Sequence, residues 1–147
     1  ITASSSPQLL LIHLYNSSSP LQKNITYLTF AREQGDALCL ALNTDASVQK
    51  NKGPLRPIVN QENRAKLLCS LRCVDYVVFF DDEEPKGVIA EILPDVLVKG
   101  KDWAHYVSGR DVVEANGGKV VLADMVEGLS TTNIIKKILV SYADDAK

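Results

Sequence analysis

The sequence predicts a parallel, doubly wound α/β sheet, and three observations carry that expectation. Short apolar runs recur along the chain, and stretches able to form helices lie between them. Strands that are apolar nearly throughout must be buried on both faces, as in a parallel sheet covered by helices. The chain is also economical. Its 147 residues, 46% of them hydrophobic and 23% charged, can bury one substantial core, and no linker-like tract divides them. One domain spanning 1–147 is expected.

The elements follow in order. QLLLIHL (8–14) is the first strand, and a helix over 25–34 follows it, with Gly35 where that helix should stop. SPLQKN (19–24), between the two, combines serine, proline and polar residues and is read as a mobile loop. ALCLAL (37–42) is the second strand, and no helix is assigned from Asn43 to Val59. Asn60 then caps a helix reaching residue 71. VDYVVFF (74–80) is the third strand, a helix over 85–92 leads to DVLVK (95–99), and a helix over 109–116 stops at Gly117 before KVVLA (119–123). TTNIIKKILVSYA (131–143) supplies the last helix.

Composition narrows the function. A net charge of −2 with scattered basic residues offers no surface for nucleic acid or an anionic membrane, so neither is an expected partner. The run LLLI is too short to span a bilayer, and ITASSSPQ lacks the features of a signal peptide, so a soluble, cytoplasmic chain is expected. Cys39, Cys69 and Cys73 read as buried, reduced thiols. His13 and His105 are too far off in sequence to complete a metal site with them, and no protein metal site is expected.

Ligands of parallel α/β sheets bind beyond the carboxyl ends of the strands, where helix N-termini also point. That rule selects NTD (43–45), VKGKD (98–102) and GLSTTN (128–133). Arg64 shares a helical face with Leu67, Leu68 and Leu71, so a cation stands in the first turn of an apolar stripe and should point to the sheet edge. Ser130, Thr131 and Thr132 offer hydroxyls and backbone N–H groups to a phosphate, although the same residues also make an ordinary helix cap. Lys99 supplies a cation, Gly100 lets a ligand approach the backbone, and Asp102 could orient a ligand or a hydrated cation.

Four segments then carry a family resemblance: YLTFAREQGDALCLALNTDASVQKNKGPLRPIVNQENRAKLL, AEILPDVLVKGKDW, EANGGKVVLAD and EGLSTTNIIKKI. From about Ile25 to Ile138 the chain resembles the adenylyltransferase domain of ADP-heptose synthase, within the cytidylyltransferase-like nucleotidyltransferases. The resemblance implies a Rossmann-like sheet of the nucleotidyltransferase type. It implies transfer of AMP from ATP to D-glycero-D-manno-heptose 1-phosphate, giving ADP-heptose and pyrophosphate, with Mg2+ accompanying ATP and a homodimer as the assembly. On the matching positions Arg64 and Lys99 would be catalytic, and Ser130, Thr131 and Thr132 would hold phosphate or nucleotide. Gly100 and Asp102 would border the nucleotide pocket, while Asp45, Lys52 and Arg56 would lie near the sugar phosphate and triphosphate.

Residues 1–24 depart from the family. Its GCFD-x-x-H-x-G-H pattern is replaced by Tyr15, Asn16, Ser17 and Ser18, then by Leu21 and Asn24 at the histidines and Lys23 at the glycine. Lys23 and the hydroxyls of Ser17, Ser18 and Ser19 would supply substitute phosphate donors, the lysine being a mobile point charge in place of a fixed pair. Two readings follow: a transferase of reduced activity, or a homologue that binds nucleotide or sugar phosphate without catalysis.

Overall fold

The computed structural model describes residues 6–14, 21–124 and 131–143. Five strands, β1 (Leu9–Leu14), β2 (Ala37–Asn43), β3 (Tyr76–Phe80), β4 (Val96–Gly100) and β5 (Lys119–Ala123), form one sheet in the order β3-β2-β1-β4-β5. Every neighbouring pair is parallel. Among the described residues six helices connect or follow them: α1 (Leu21–Arg32), α2 (Asp45–Lys52), α3 (Gln61–Cys69), α4 (Lys86–Ile92), α5 (Arg110–Ala115) and α6 (Thr131–Tyr142). A 3-10 turn at Lys101–Trp103 leaves β4.

Side chains alternate across the strands and fill two cores. Leu11 stands opposite Cys39 and Leu97, and that row packs with Ile89 of α4 and Val113 of α5. Leu10 stands opposite Leu38 and Val96, and that row packs with Leu28 of α1 and Leu68 of α3. Burial on both faces explains why β1, β2 and β4 read as continuous apolar runs. The edge strand β3 is covered less, with Tyr76 and Phe79 exposed.

The amino-terminal edge of the sheet is tied by three aspartates. Asp36, Asp75 and Asp95, each lying just before a strand, accept backbone N–H bonds from Gln8 (2.7 Å), Leu38 (2.7 Å) and Leu9 (2.8 Å). Each carboxylate satisfies an N–H at the start of the neighbouring strand, where the ladder has run out of carbonyls.

Several boundaries differ from the sequence reading. Residues 21–24 are the first turn of α1 rather than loop, while 15–20, and so the start of SPLQKN, lie outside the described residues. α2 was not anticipated. Thr44 caps it, its side chain accepting from the Ser47 N–H at 3.2 Å, but its only buried residues are Ser47 and Val48, too few to give a periodic signal. α3 has the Asn60 cap, at 3.0 Å from the Asn63 N–H, but it ends at Cys69. Cys73 therefore lies beyond the helix and is half-buried, and Cys69 is exposed, so only Cys39 is a buried thiol.

Gly117 closes α5 with φ +83°, as its place after the helix requires. Gly118 is constrained by space. A Cβ there would lie 2.8 Å from the Asp95 carbonyl oxygen and 2.7 Å from Val113 Cγ1. Gly118→Ala must push β5 away from the turn before β4, and a loss of about 2 kcal/mol is expected in chemical denaturation.

Candidate active site

The chain runs outward from β1 through β2 to β3, then returns to place β4 on the other side of β1. The strand order therefore reverses between β1 and β4, where such sheets bind ligands. Among the described residues, several predicted site residues lie at the carboxyl ends of the strands in two groups, one after β2 and one after β4.

The first group surrounds Arg64. Its helix position turns the side chain inward beside Leu68, so that only 2% of Arg64 remains exposed. Leu67, expected on the same face, is instead 49% exposed, because α3 buries its i, i+4 line and turns the i+3 position outward. Arg64 Nη2 donates to the Asn43 carbonyl at 2.9 Å and to Asp45 Oδ1 at 2.8 Å. Nε and Nη1 are buried without a hydrogen-bond partner. A guanidinium is a planar fork of donors, and two unpaired nitrogens of such a buried fork suit a planar or tetrahedral oxyanion.

Several bonds fix the NTD segment against this arginine. The Asp45 N–H donates to Gln61 Oε1 at 2.8 Å, and Thr44 Oγ1 bonds Asp81. Asn43 Nδ2 donates to Ser47 Oγ at 2.8 Å, and that hydroxyl donates to the Asp82 carbonyl at 2.8 Å. The start of α2 is thereby stitched both to α3 and to the turn after β3. Arg56, in the loop after α2, also has a buried Nε without a partner, while Lys52 is exposed.

The second group follows β4. Lys99 lies 5.5 Å from the Trp103 ring centroid, in cation–π contact, and Trp103 stacks on His105 at 6.0 Å. Gly100 is buried but extended at φ −69°, so its conformation does not require glycine. Asp102 is exposed in the 3-10 turn. Sequence reading missed Tyr27, a buried residue of α1 whose hydroxyl donates to the Val98 carbonyl at 3.2 Å. Burial, followed by the Asp102 charge, holds its phenol above the usual range.

Burial lowers the Lys99 ammonium from 10.5 to about 8, with Asp102 opposing the shift. Since its folded-state value is the lower one, the unfolded chain binds the extra proton between pH 8 and 10.5. Stability should therefore rise with pH through that window. Lys99→Met should flatten the rise, which urea midpoints from roughly pH 7 to 10 measure directly.

Thr131 opens α6 and Thr132 is exposed on its first turn, while Ser130 lies outside the described residues. Lys23 falls within the first turn of α1. Among the described residues, no three His, Cys, Asp or Glu side chains gather as a metal cage. No helix among them is long and apolar enough to cross a membrane.

A parallel sheet in this order, with cationic side chains beyond the carboxyl ends of its strands, is that of a Rossmann-like domain of the nucleotidyltransferase type. The cytidylyltransferase-like pattern matches residues 24–137, and the chain belongs to that family. It is 49% identical over 120 residues to the bifunctional protein HldE of Syntrophotalea carbinolica, covering 81% of this chain and 24% of that protein. It is 50% identical over 123 residues to bifunctional HldE of Geobacter sulfurreducens, covering 83% and 25%. The chain thus spans about a quarter of the length of these curated relatives. The fold is similar to that of a lipopolysaccharide core biosynthesis protein from Thermoplasma volcanium, with a TM-score of 0.64, 19% identity and coverage of 82% of this chain and 98% of that one. Pantothenate synthetase from Thermus thermophilus gives a TM-score of 0.58 at 13% identity, covering 84% of this chain and 58% of that one.

Proposed function

We propose that this domain transfers AMP from ATP to D-glycero-D-manno-heptose 1-phosphate in the cytoplasm, with activity reduced by its altered first segment. The observation that carries the reading is Arg64, buried at the sheet edge with Nε and Nη1 unpaired. In this reaction a phosphate oxygen of the sugar attacks the α-phosphorus of ATP, the bond to the β-phosphate oxygen breaks, and pyrophosphate leaves. No covalent enzyme intermediate forms, so the protein's work is to position both phosphates and stabilise charge on the transferred group.

Arg64 takes the charge developing on the α-phosphate, held in place by Asn43 and Asp45. Lys99 remains a cation below about pH 8 and borders the nucleotide. Lys52, at the end of α2, and Arg56, in the loop after it, contribute near the sugar phosphate and the triphosphate, and Thr131 and Thr132, at the start of α6, together with Ser130, hold phosphate or nucleotide. Mg2+ would accompany the triphosphate, for which phosphate oxygens and water suffice without a protein cage, and Asp102 would be the residue to orient a hydrated cation there. We also propose the homodimer that the resemblance implies, which sedimentation at several concentrations tests.

A second reading is favoured by Leu21, Lys23 and Asn24 at the family's histidine and glycine positions: a homologue that binds nucleotide or sugar phosphate without transfer. Pyrophosphate release with ATP, Mg2+ and heptose 1-phosphate decides between them. Release supports transfer, calorimetric binding without release supports the binder, and neither binding nor release rejects both.

A further inference from the structure

Beside Lys99 lies a cavity of about 230 Å3, lined by Asn51 of α2, Glu83, Glu84 and Pro85 after β3, and Trp103, Tyr106 and Ser108 after β4. We propose that it holds the polyhydroxyl part of the acceptor sugar and that Glu84 and Trp103 determine which sugar phosphate is used. This inference rests on the proposed transfer to a sugar phosphate and names the site for its acceptor.

Size comes first. Pockets for drug-sized ligands usually enclose about 300–1,000 Å3, so this one suits a single sugar unit better than a whole nucleotide. Charge comes second. Glu83 and Glu84 form one wall, and two carboxylates repel a phosphate, whereas Lys99 forms the wall toward β4. A sugar phosphate fits that gradient in one orientation only, with its phosphate at Lys99 and its hydroxyls at the carboxylates.

Chemistry comes third. Glu84 Oε2 already accepts two hydroxyl bonds, from Tyr106 at 2.8 Å and Ser108 at 3.0 Å. The carboxylate is thus fixed by the kind of donor that a sugar presents, and its other oxygen can accept more. Asn51 is held by its own bond to the Glu83 carbonyl at 3.4 Å, which brings an amide to the same wall. Trp103 adds a broad apolar surface, 43% exposed, for the C–H face of a sugar ring. The three supporting segments come from different elements, and the stitching of α2 to the turn after β3 keeps their spacing.

Calorimetry of the whole chain with D-glycero-D-manno-heptose 1-phosphate, and separately with ATP and Mg2+, tests this. Glu84→Gln and Trp103→Ala should each weaken sugar-phosphate binding about 10-fold or more, in line with the loss of a bond to a charged group or of a buried aromatic contact. In Glu84→Gln, ATP binding should change less than about 2-fold, since Glu84 stands on the wall away from Lys99 and the nucleotide. Glu84 and Trp103 are exposed, so both variants should fold, and circular dichroism checks this. Unchanged sugar-phosphate binding in both variants overturns the assignment, as does a parallel loss of ATP binding in Glu84→Gln. If the native chain binds the sugar phosphate but releases no pyrophosphate, transfer fails while the cavity assignment is still decided by these variants. If it binds ATP but no sugar phosphate, the cavity assignment falls.

Discussion

Arg64→Ala is expected to lower AMP transfer by about 100- to 1,000-fold, the usual effect of removing one preorganised donor from a developing oxyanion. Its guanidinium is positioned by two bonds that a water molecule could not reproduce. The substitution also loosens the fold. Asp45 loses its partner and the Asn43 carbonyl loses a donor, while the side chain of Asp45 is 32% exposed and regains some hydration. A stability loss of about 2 kcal/mol is therefore expected, below the range for a fully buried pair. Arg64→Lys separates the two effects. It retains the charge but not the planar fork, so melting should approach that of the native chain while transfer stays low. Native-like pyrophosphate release from a folded Arg64→Ala chain would rule out the proposed role.

The second large effect runs the other way. Leu21→His, Lys23→Gly and Asn24→His together should raise transfer about 100-fold or more, by returning two positioned donors to the triphosphate. Positions 21 and 24 are three residues apart in the first turn of α1, so histidines there share one face. The N-terminus of that helix adds its dipole to phosphate binding. Glycine within a helical turn costs about 1 kcal/mol, so the gain in rate should accompany a slightly lower melting temperature. An unmodified chain already turning over at about 1 per second or more, with no gain in the triple variant, would show that the altered segment is no defect.

Much of the architecture was legible because β1, β2 and β4 are buried on both faces and leave little room for polar residues. Asn60 and Gly117 announced their caps through chemistry confined to a few bonds. α2 was not legible, because its placement depends on Thr44, Ser47 and Asn51 bonding to residues more than thirty positions away. Arg64 could be found as a cation at the head of an apolar stripe, although the stripe itself was drawn one residue too wide at Leu67. Tyr27 and Glu84 could not be found in this way. One is an aromatic among apolar neighbours and the other one acid among several, and only the tertiary fold sets them against Val98, Tyr106 and Ser108.

The three aspartates at the amino-terminal edge bear on how such a domain can change over time. Asp36, Asp75 and Asp95 tie the strand starts at the end of the sheet opposite the chemistry. Selection for a folded chain and selection for a working site thus act on different ends of the same strands. Substitutions near the start of α1 can accumulate while the ties beneath them go on holding the sheet. A lineage can then lose its most diagnostic catalytic residues and keep its shape, and regaining activity would need few substitutions because the scaffold that they require has never been lost.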